Sequence, residues 1–334
     1  MSAVSPTKIV SAILSAFRDS GASAYYVSDN LRSHPRRFDV QLNERTYSIW
    51  IYVWSLTHGG RVTLPDEYRI QMTSVKSPLP INPDGYTAIL GFHGELEMFA
   101  GFDLQKHQTF TTGSPSIQID ISAINSAKTD GWSFHTKTND EIAVGIRPDL
   151  LLSYIADAKS LHKYGTNAQL LGLLNKAAKS EVIADKDINK LAKKRRSIVQ
   201  EVSKLSRDAA FRNNVLTAYS NKCAVTKIQL RLLDAAHILP VASKDSSDDV
   251  SNGIALSPTI HRAFDNCLIY LDKDLIMRVN QEKADELKAQ GLDGGLSKFS
   301  KSLDKKISLP SKKKDRPHVD YVRLANKYRR IPGY

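Results

Sequence analysis

The segment from Asp234 to Asp265 constrains the fold more than any other part of this chain. It reads D-A-A-H-I-L-P, then a polar stretch, N-G-I-A-L, and finally S-P-T-I-H-R-A-F-D. The runs 230–234 and 236–239 predict either a β-hairpin or one bent strand that ends at Pro240, because proline interrupts regular structure. The Asn-Gly pair predicts a tight turn, and Pro258 suits the first turn of a helix. We therefore expect a strand pair followed by a helix.

Four polar residues of this segment have the chemistry of a phosphodiesterase site. His237 is a candidate general base, because a neutral imidazole accepts a proton near neutral pH. His261 and Asp265 are four residues apart, so a helix places them on one face, where they are candidate ligands of a divalent cation that neutralises charge on a phosphate. Two protein ligands leave coordination positions open for a substrate. Asn252 is a candidate for holding the loop that orients His237.

The same residues resemble the HNH endonucleases, a family with a ββα-metal fold. The motif A-A-H-I-L-P…N-G-I-A-L…H-R-A-F-D carries the resemblance, which covers residues 211–280 approximately. It implies catalytic roles for His237, Asn252 and His261, with His237 as the general base. It also implies one divalent cation per active site, Mg²⁺ or Mn²⁺, bound by His261. Nucleases of the colicin type add a second helix ligand four residues further on, where this chain has Asp265.

The chain departs from that family pattern at one position. Many members have a metal-binding His, Asp or Glu directly before the general base, and this chain has Ala236 there. Asp234 lies two residues earlier, on the same face as Ala236 if the segment is extended, but displaced by about 6–7 Å along the strand. We therefore treat Asp234 as a third candidate metal ligand, after His261 and Asp265.

The positive charge of the chain lies entirely in its second half. The net charge is +12, and the residues from Thr166 onward contain 32 Lys and Arg against 19 Asp and Glu. A basic surplus of this size is typical of proteins that bind polyanions. Because the basic half also carries the HNH-like segment, the predicted partner is double-stranded DNA.

The length of 334 residues and the change of pattern along the chain predict two domains. We expect an α+β protein: a mixed, β-rich domain over residues 1–165 for DNA recognition or sensing, a helical connector over 166–205, and an HNH nuclease domain with the ββα-metal fold over 206–334. Strands are predicted at 47–54, 62–72, 86–92, 97–103 and 116–121. The apolar spacing in 7–17 predicts an amphipathic helix at the start.

The cysteine content and the hydropathy pattern narrow the class of protein further. Cys223 and Cys267 are too few for a disulfide framework or a four-cysteine zinc site, so no structural zinc is expected. No run of about 18 uncharged apolar residues occurs, and the first residues do not resemble a signal peptide. We therefore expect a cytoplasmic protein that does not enter a membrane.

Candidate DNA contacts fall in both halves of the chain. Trp50, Tyr52 and Trp54 alternate along one strand, where aromatic rings either form core or offer stacking surfaces. The basic run 193–196 either contacts phosphate or is a solvated helix face. The full set of candidate DNA-binding residues is Arg61, Arg69, Gln71, Lys193, Lys194, Arg195, Arg196 and Arg262.

The leading hypothesis is a restriction endonuclease, with modified DNA as one substrate class. The chain resembles bacterial restriction enzymes in which a recognition domain precedes an HNH nuclease. Two alternatives remain: a defence nuclease gated by a small ligand or a partner protein, and a DNA-binding module without catalysis, in which Ala236 marks a lost metal site. Because cleavage of both strands by a single-site nuclease often uses two protomers, we also expect a homodimer.

Overall fold

The computed structural model describes residues 3–42, 45–111, 113–137, 141–164, 167–303 and 305–334. It divides into two compact units, Met1–Ala209 and Ala210–Tyr334. The α+β class predicted from the sequence is confirmed, with the strands concentrated in the first unit.

A strand forms within each of the five predicted segments, although the one predicted over 62–72 spans only Glu67–Gln71, and further strands form outside these segments. The strands are β1 (Ser23–Tyr26), β2 (Arg36–Leu42), β3 (Arg45–Ser55), β4 (Thr57–His58), β5 (Glu67–Gln71), β6 (Tyr86–His93), β7 (Met98–Phe102), β8 (Ser116–Asp120), β9 (Trp132–Thr136) and β10 (Ile142–Ile146). The helices are α1 (Pro6–Asp19), α2 (Leu104–His107), α3 (Ile121–Asp130), α4 (Leu151–Tyr164), α5 (Ala168–Ala178), α6 (Asp185–Asn189) and α7 (Lys193–Ala218), which continues into the second unit.

A seven-stranded sheet in the order β1-β2-β3-β6-β7-β10-β9 forms the centre of the first unit. Only β3 and β6 run parallel, and the other neighbours are antiparallel. From Ile49 to Trp54 strand β3 has only apolar and aromatic side chains, as expected where a strand is covered on both faces. Ile49, Ile51 and Val53 enter one core, whereas Tyr52 and Trp54 enter the other, which lies beneath the small sheet β4-β5-β8.

The stretch predicted as a helical connector packs into the first unit. Leu170 and Leu174 of α5 and Val199 and Val202 of α7 belong to the same buried cluster as the central sheet. Apolar residues at helical spacing there cover one face of the sheet. The division between the units therefore falls after Ala209, within α7, rather than on either side of a separate connector.

The second unit contains short strands and helices around one core. Its strands are β11 (Asp234–His237), β12 (Gly253–Leu256), β13 (Ile269–Leu271) and β14 (Met277–Val279), and its helices after α7 are α8 (Pro258–Asp265), α9 (Gln281–Ala289), α10 (Leu296–Ser300) and α11 (Val319–Tyr328). Phe211, Ile254, Phe264 and Val322 come from four of these elements and are at most 4% exposed. This core sets the position of the HNH-like segment.

The strand pairing in this segment differs from both sequence-based alternatives. Residues 230–234 do not pair with 236–239; instead β11 pairs with β12 in an antiparallel ladder. A 3₁₀ turn at Val250–Asn252 precedes β12. The polar stretch between Pro240 and this turn is thus the connection of the two strands. No helix in the described part of the chain is long and apolar enough to cross a membrane.

Candidate active site

The strand pair β11–β12 and helix α8 position the polar residues of the HNH-like segment. Asp234 lies opposite Leu256 at one end of the ladder, and His237 lies opposite Gly253 at the other. Helix α8 begins two residues after β12, with Ser257 at its N-cap and Pro258 in its first turn. Two strands and a helix are therefore present, although the second strand is Gly253–Leu256 and not a segment before Pro240, with His237 on a strand and His261 on the helix.

His237 is held by a carboxylate and an aromatic ring. Its Nε2 lies 3.0 Å from Oδ1 of Asp248 in the connecting loop, and its ring stacks on Phe211, with centroids 3.8 Å apart and planes 8° apart. Nδ1 makes no hydrogen bond to a described residue. Because a carboxylate accepts hydrogen bonds, the contact favours the tautomer with the proton on Nε2 and a lone pair on Nδ1.

Gly253 allows α7 to pack closely against this end of the ladder. A Cβ atom at this position would overlap the Val215 side chain and come within 3.2 Å of the Phe211 ring. Any larger residue would therefore push α7 away from β12. The absence of a side chain at Gly253 keeps Phe211 where it stacks on His237.

Asn252 is fully buried and fastens the connecting loop to the start of β12. Its Oδ1 accepts a hydrogen bond from the backbone N–H of Leu239 at 2.8 Å. Its Nδ2 donates to the carbonyl oxygens of Leu239 and Ser247, at 3.2 and 2.9 Å, and to Oγ of Ser246 at 3.2 Å. The side chain thus bridges both ends of the loop that carries Asp248.

His261 lies between two carboxylates. Its Nδ1 is 3.2 Å from Oδ2 of Asp234, and its Nε2 is 3.2 Å from Oδ2 of Asp265, one helical turn further on. The hydrogen bond to Asp234 raises the pKa of His261 above its ordinary value, against the opposing effect of burial. The same hydrogen bond lowers the pKa of Asp234. The cluster therefore consists of one imidazole with a carboxylate at each of its two nitrogens.

These three groups do not surround a common point. The two ring nitrogens of an imidazole point in different directions, so the two carboxylates lie on different sides of the His261 ring. Accordingly, no set of three or more His, Cys, Asp or Glu residues in the described part of the chain is arranged to hold a metal ion. The arrangement instead offers two donors at a time, an imidazole nitrogen and one carboxylate.

The structure shows what occupies the place of the missing family ligand. Ala236 is 1% exposed and packs in the core of the second unit. Asp234, which the sequence placed on the same face as Ala236, instead has a half-exposed side chain that reaches His261. The carboxylate therefore approaches His261 from the start of β11, on the side away from Asp265.

Arg329 is a further residue of this site that sequence reasoning missed. Its Nη1 donates a 2.6 Å hydrogen bond to the carbonyl oxygen of Ile238, the residue after His237. Its guanidinium lies over the Phe264 ring, 4.3 Å from the centroid, and its charge opposes the protonation of His261. Neither Arg329 nor Asp248 had a sequence signal, because one lies far along the chain and the other lies in an irregular loop.

Arg262 was a candidate DNA contact on α8, and the structure leaves it exposed. It lines a groove of about 790 Å³ together with residues of α9 and α10, including Lys283 and Leu287. Since His261 and Asp265 do not line this groove, Arg262 belongs to a different face of the helix from the metal-ligand candidates.

The candidate DNA contacts of the first unit lie at three places: the connection between β4 and β5, strand β5 and the start of α7. Arg61 is exposed and lies 3.6 Å from Glu67, whereas Arg69 and Gln71 belong to β5, between β4 and β8. In the basic run at the start of α7, Lys193 and Lys194 are exposed. The two arginines of that run, Arg195 and Arg196, are half-buried.

Arg196 has a structural role in the described fold. Its Nη2 donates to the carbonyl oxygens of Asn189 and Leu191, at 3.0 and 3.3 Å, and so closes the end of α6. Lys193 and Lys194 therefore remain the exposed members of the basic run.

The alternating aromatic residues of β3 are mainly core. Tyr52 and Trp54 are 1% and 8% exposed, and their polar atoms donate to the carbonyl oxygens of Pro80 and Thr73. Trp50 is half-buried, with the Arg37 guanidinium 4.6 Å from its ring centroid. Of the three rings, only Trp50 keeps a partly open face.

Comparisons with known proteins agree with the two-unit organisation. Residues 223–272 match a family model described as HNH endonuclease, and residues 47–155 match one described as Methylase-associated X1. Among solved structures, the chain is similar to one titled "Modification dependent TagI restriction endonuclease", with 13% identity, coverage of 86% of this chain and 82% of that chain, and a TM-score of 0.29. No curated protein matches at a significant level. The chain thus carries an HNH endonuclease domain in its second unit, preceded by a Methylase-associated X1 domain in its first.

Proposed function

We propose that this protein is a metal-dependent DNA endonuclease that serves in restriction. One observation from the HNH endonuclease domain carries the proposal. His237, on a strand, is held by Asp248, and His261, on the following helix, lies between the carboxylates of Asp234 and Asp265. This set contains a base and cation donors, the two functions that phosphodiester hydrolysis requires.

His237 acts as the general base through Nδ1. Its Nε2–H donates to Asp248, so Nδ1 takes the proton of the attacking water. Asp248 then stabilises the imidazolium that forms and keeps the ring in one orientation, while the Phe211 ring limits its rotation. Asp248 is a positioning residue, because it acts through His237.

The residues around His261 fit a divalent cation of the magnesium type. Imidazole nitrogen and carboxylate oxygen are donors that Mg²⁺ and Mn²⁺ accept, and a site with two protein ligands leaves positions open. Nε2 of His261 and the Asp265 carboxylate would hold the ion, and Asp234 would orient the ring by accepting the Nδ1–H. When bound, such an ion supplies positive charge to the phosphate and the leaving oxygen.

Arg329 joins the two halves of the site. By bonding to the carbonyl oxygen of Ile238 and lying over Phe264, it ties the end of β11 to α8. It also adds a fixed positive charge near His261. We assign it the role of holding His237 and His261 in register.

The proposed substrate is double-stranded DNA, with base modification as the feature that the first unit senses. The basic surplus of the chain lies in the half with the HNH domain, as a phosphate-binding nuclease requires. Residues 1–165 have no such surplus, with 15 Lys and Arg against 16 Asp and Glu, so their proposed contribution is recognition of a base and not general binding of phosphate. The methylase association in the description of the matched family points in the same direction.

Plasmid cleavage tests this proposal. Unmodified, methylated and hydroxymethylated plasmids are incubated with the protein and Mg²⁺ or Mn²⁺, with EDTA as the control. We expect metal-dependent cutting that is abolished by His237→Ala and retained by His135→Ala, a matched change on β9 of the first unit. Full cutting by His237→Ala would exclude the assigned base.

The plasmid assay also separates the alternative functions. DNA binding without cutting under any metal condition would favour a catalytically silent module. Cutting that appears only after addition of a small molecule would favour a gated nuclease, and equal cutting of all three plasmids would contradict modification sensing.

We also propose that two protomers cleave the two strands, since each chain supplies one HNH domain. Sedimentation velocity with and without DNA measures the oligomeric state. A monomer under both conditions would contradict this part of the proposal.

A further inference from the structure

The lysine-rich loop before α11 carries three charges that the folded chain does not use. Lys312, Lys313 and Lys314 are exposed. Within the described residues, no carboxylate lies within 4.0 Å of their ammonium groups. This loop is therefore a local concentration of basic side chains that an external anion can bind.

Two of these lysines line a polar cleft in the second unit. The cleft has a volume of about 410 Å³ and lies between the C-terminal part of α7 and the lysine loop. Its polar lining includes Asn214, Thr217, Ser311, Lys312, Lys314 and Asp315. Hydroxyl, amide and ammonium groups dominate this lining, and Asp315 is its single carboxylate.

Several polar groups of the cleft are available to a ligand. The side chains of Asn214, Thr217 and Ser311 make no hydrogen bond to any other described residue. Together with the two lysines they are the residue types that contact phosphate and sugar along a nucleic acid backbone. A chain of phosphates suits a cleft lined by two lysines and several polar side chains better than a small apolar ligand does.

The cleft adjoins the proposed active site through two elements. On α7, Asn214 and Thr217 alternate with Phe211 and Val215, which pack against His237 and Gly253. Helix α7 therefore contributes both to the wall of the cleft and to the packing against His237.

The second connection runs through the turn before β12. Val250 lines the cleft, and Ser251 accepts a 3.0 Å hydrogen bond from the backbone N–H of His318, just after the lysine loop. The next residue in that turn is Asn252, which holds the loop of Asp248. The turn Val250–Asn252 therefore connects the wall of the cleft with the loop that carries Asp248.

We infer that this cleft binds the backbone phosphates next to the phosphate that is cut, with Lys312 and Lys314 as the contacts. The inference rests on the proposed nuclease function and names the surface that holds its substrate. Lysine–phosphate contacts release counterions, so they position the DNA without reading its sequence.

Salt-dependent binding tests the inference. The His237→Ala protein, which is expected not to cut, is titrated with a fluorescent duplex of about 30 base pairs at several NaCl concentrations. Each lost phosphate contact lowers the slope of log K against log [NaCl] by about 0.9, and two contacts correspond to about 30-fold in affinity at about 0.15 M salt. We expect this change for the pair K312A and K314A. The control pair K288A and K298A removes two exposed lysines outside the cleft, on α9 and α10.

The outcomes distinguish a local contact from a general effect of charge. A loss of about 1.8 in slope for the cleft variant, little change for the control pair and recovery with K312R and K314R would support the inference. An unchanged slope, or an equal loss in both pairs, would overturn it. If the variants show the expected slopes but the unaltered protein never cuts DNA, the nuclease proposal is refuted and the inference that the cleft binds phosphates still holds.

Discussion

Replacement of Asn252 by alanine tests the central structural claim about the connecting loop. The side chain is 0% exposed and makes four hydrogen bonds, all to residues 239–247. The change leaves the N–H of Leu239, itself 1% exposed, without its acceptor. A buried donor without a partner costs about 1–3 kcal/mol, and each of the other lost hydrogen bonds costs about 1 kcal/mol.

The magnitude follows from which acceptors keep a partner. The Leu239 carbonyl retains the hydroxyl of Ser246 at 2.9 Å, whereas the Ser247 carbonyl loses the Asn252 donor. We therefore expect Asn252→Ala to lower the free energy of unfolding of the second unit by about 4 kcal/mol. That amount corresponds to an increase of about a thousandfold in the opening equilibrium.

Hydrogen exchange measured by mass spectrometry is the suitable assay. The three tryptophans, Trp50, Trp54 and Trp132, all lie in the first unit, so their fluorescence does not report on the second. Peptides covering β11, the loop and β12 should exchange faster in the variant. Asn266→Ala is the matched control, because Asn266 is exposed and its side chain makes no hydrogen bond to a described residue. A loss of protection of less than about 1 kcal/mol in Asn252→Ala, or an equal loss in Asn252→Ala and Asn266→Ala, would refute the assigned role of Asn252.

Four other expectations follow from the same contacts. Gly253→Ala should destabilise the second unit by about 1–3 kcal/mol, because the new methyl group overlaps α7; unchanged hydrogen exchange in β12 would contradict this. Burial raises the pKa of Asp157 to about 6. Its ionised form therefore destabilises the first unit, whose stability should rise as the pH falls from 7 to 5. Asp157→Asn should remove this pH dependence and stabilise the unit by about 1–2 kcal/mol at pH 7 after solvent screening, and a tryptophan-detected melt without that gain would count against it. Arg329→Lys keeps the charge but not the geometry, so kcat should fall about tenfold or more with little change in DNA binding; an unchanged kcat would exclude the positioning role. Asp234→Asn should lower the Mn²⁺ affinity measured by calorimetry about tenfold, and Asp265→Asn should lower it more. A larger loss of affinity in Asp234→Asn would exchange the roles of the two carboxylates.

Much of the fold could be predicted because it depends on local patterns. The run at 47–54 is β-branched and aromatic, and it forms the central strand β3. The spacing of Ile9, Ile13 and Phe17 gave the buried face of α1. The boundary between the units lies elsewhere in the structure than the sequence suggested. The leucines of α5 indicate a helix, but they do not show that this helix packs on a face of the sheet.

The pairing partner of β11 was not predictable from nearby residues. Two short apolar runs adjoin in sequence around Asp234, yet the ladder forms with Gly253–Leu256. Strand pairing depends on which segment completes the core, and in this unit Ile254 and Leu256 fill it together with Phe264. Local propensity carries no information on that choice.

The sequence by itself determined the residue types of the site and the spacing of those on one element. His261 and Asp265 face the same side of α8 because a helix repeats every 3.6 residues. Only the tertiary structure decided that Asp248 meets His237 and that Arg329 joins the strand to the helix. The reason is physical: contacts within one element follow from backbone geometry, whereas contacts between distant segments arise only when burial of a shared core brings those segments together.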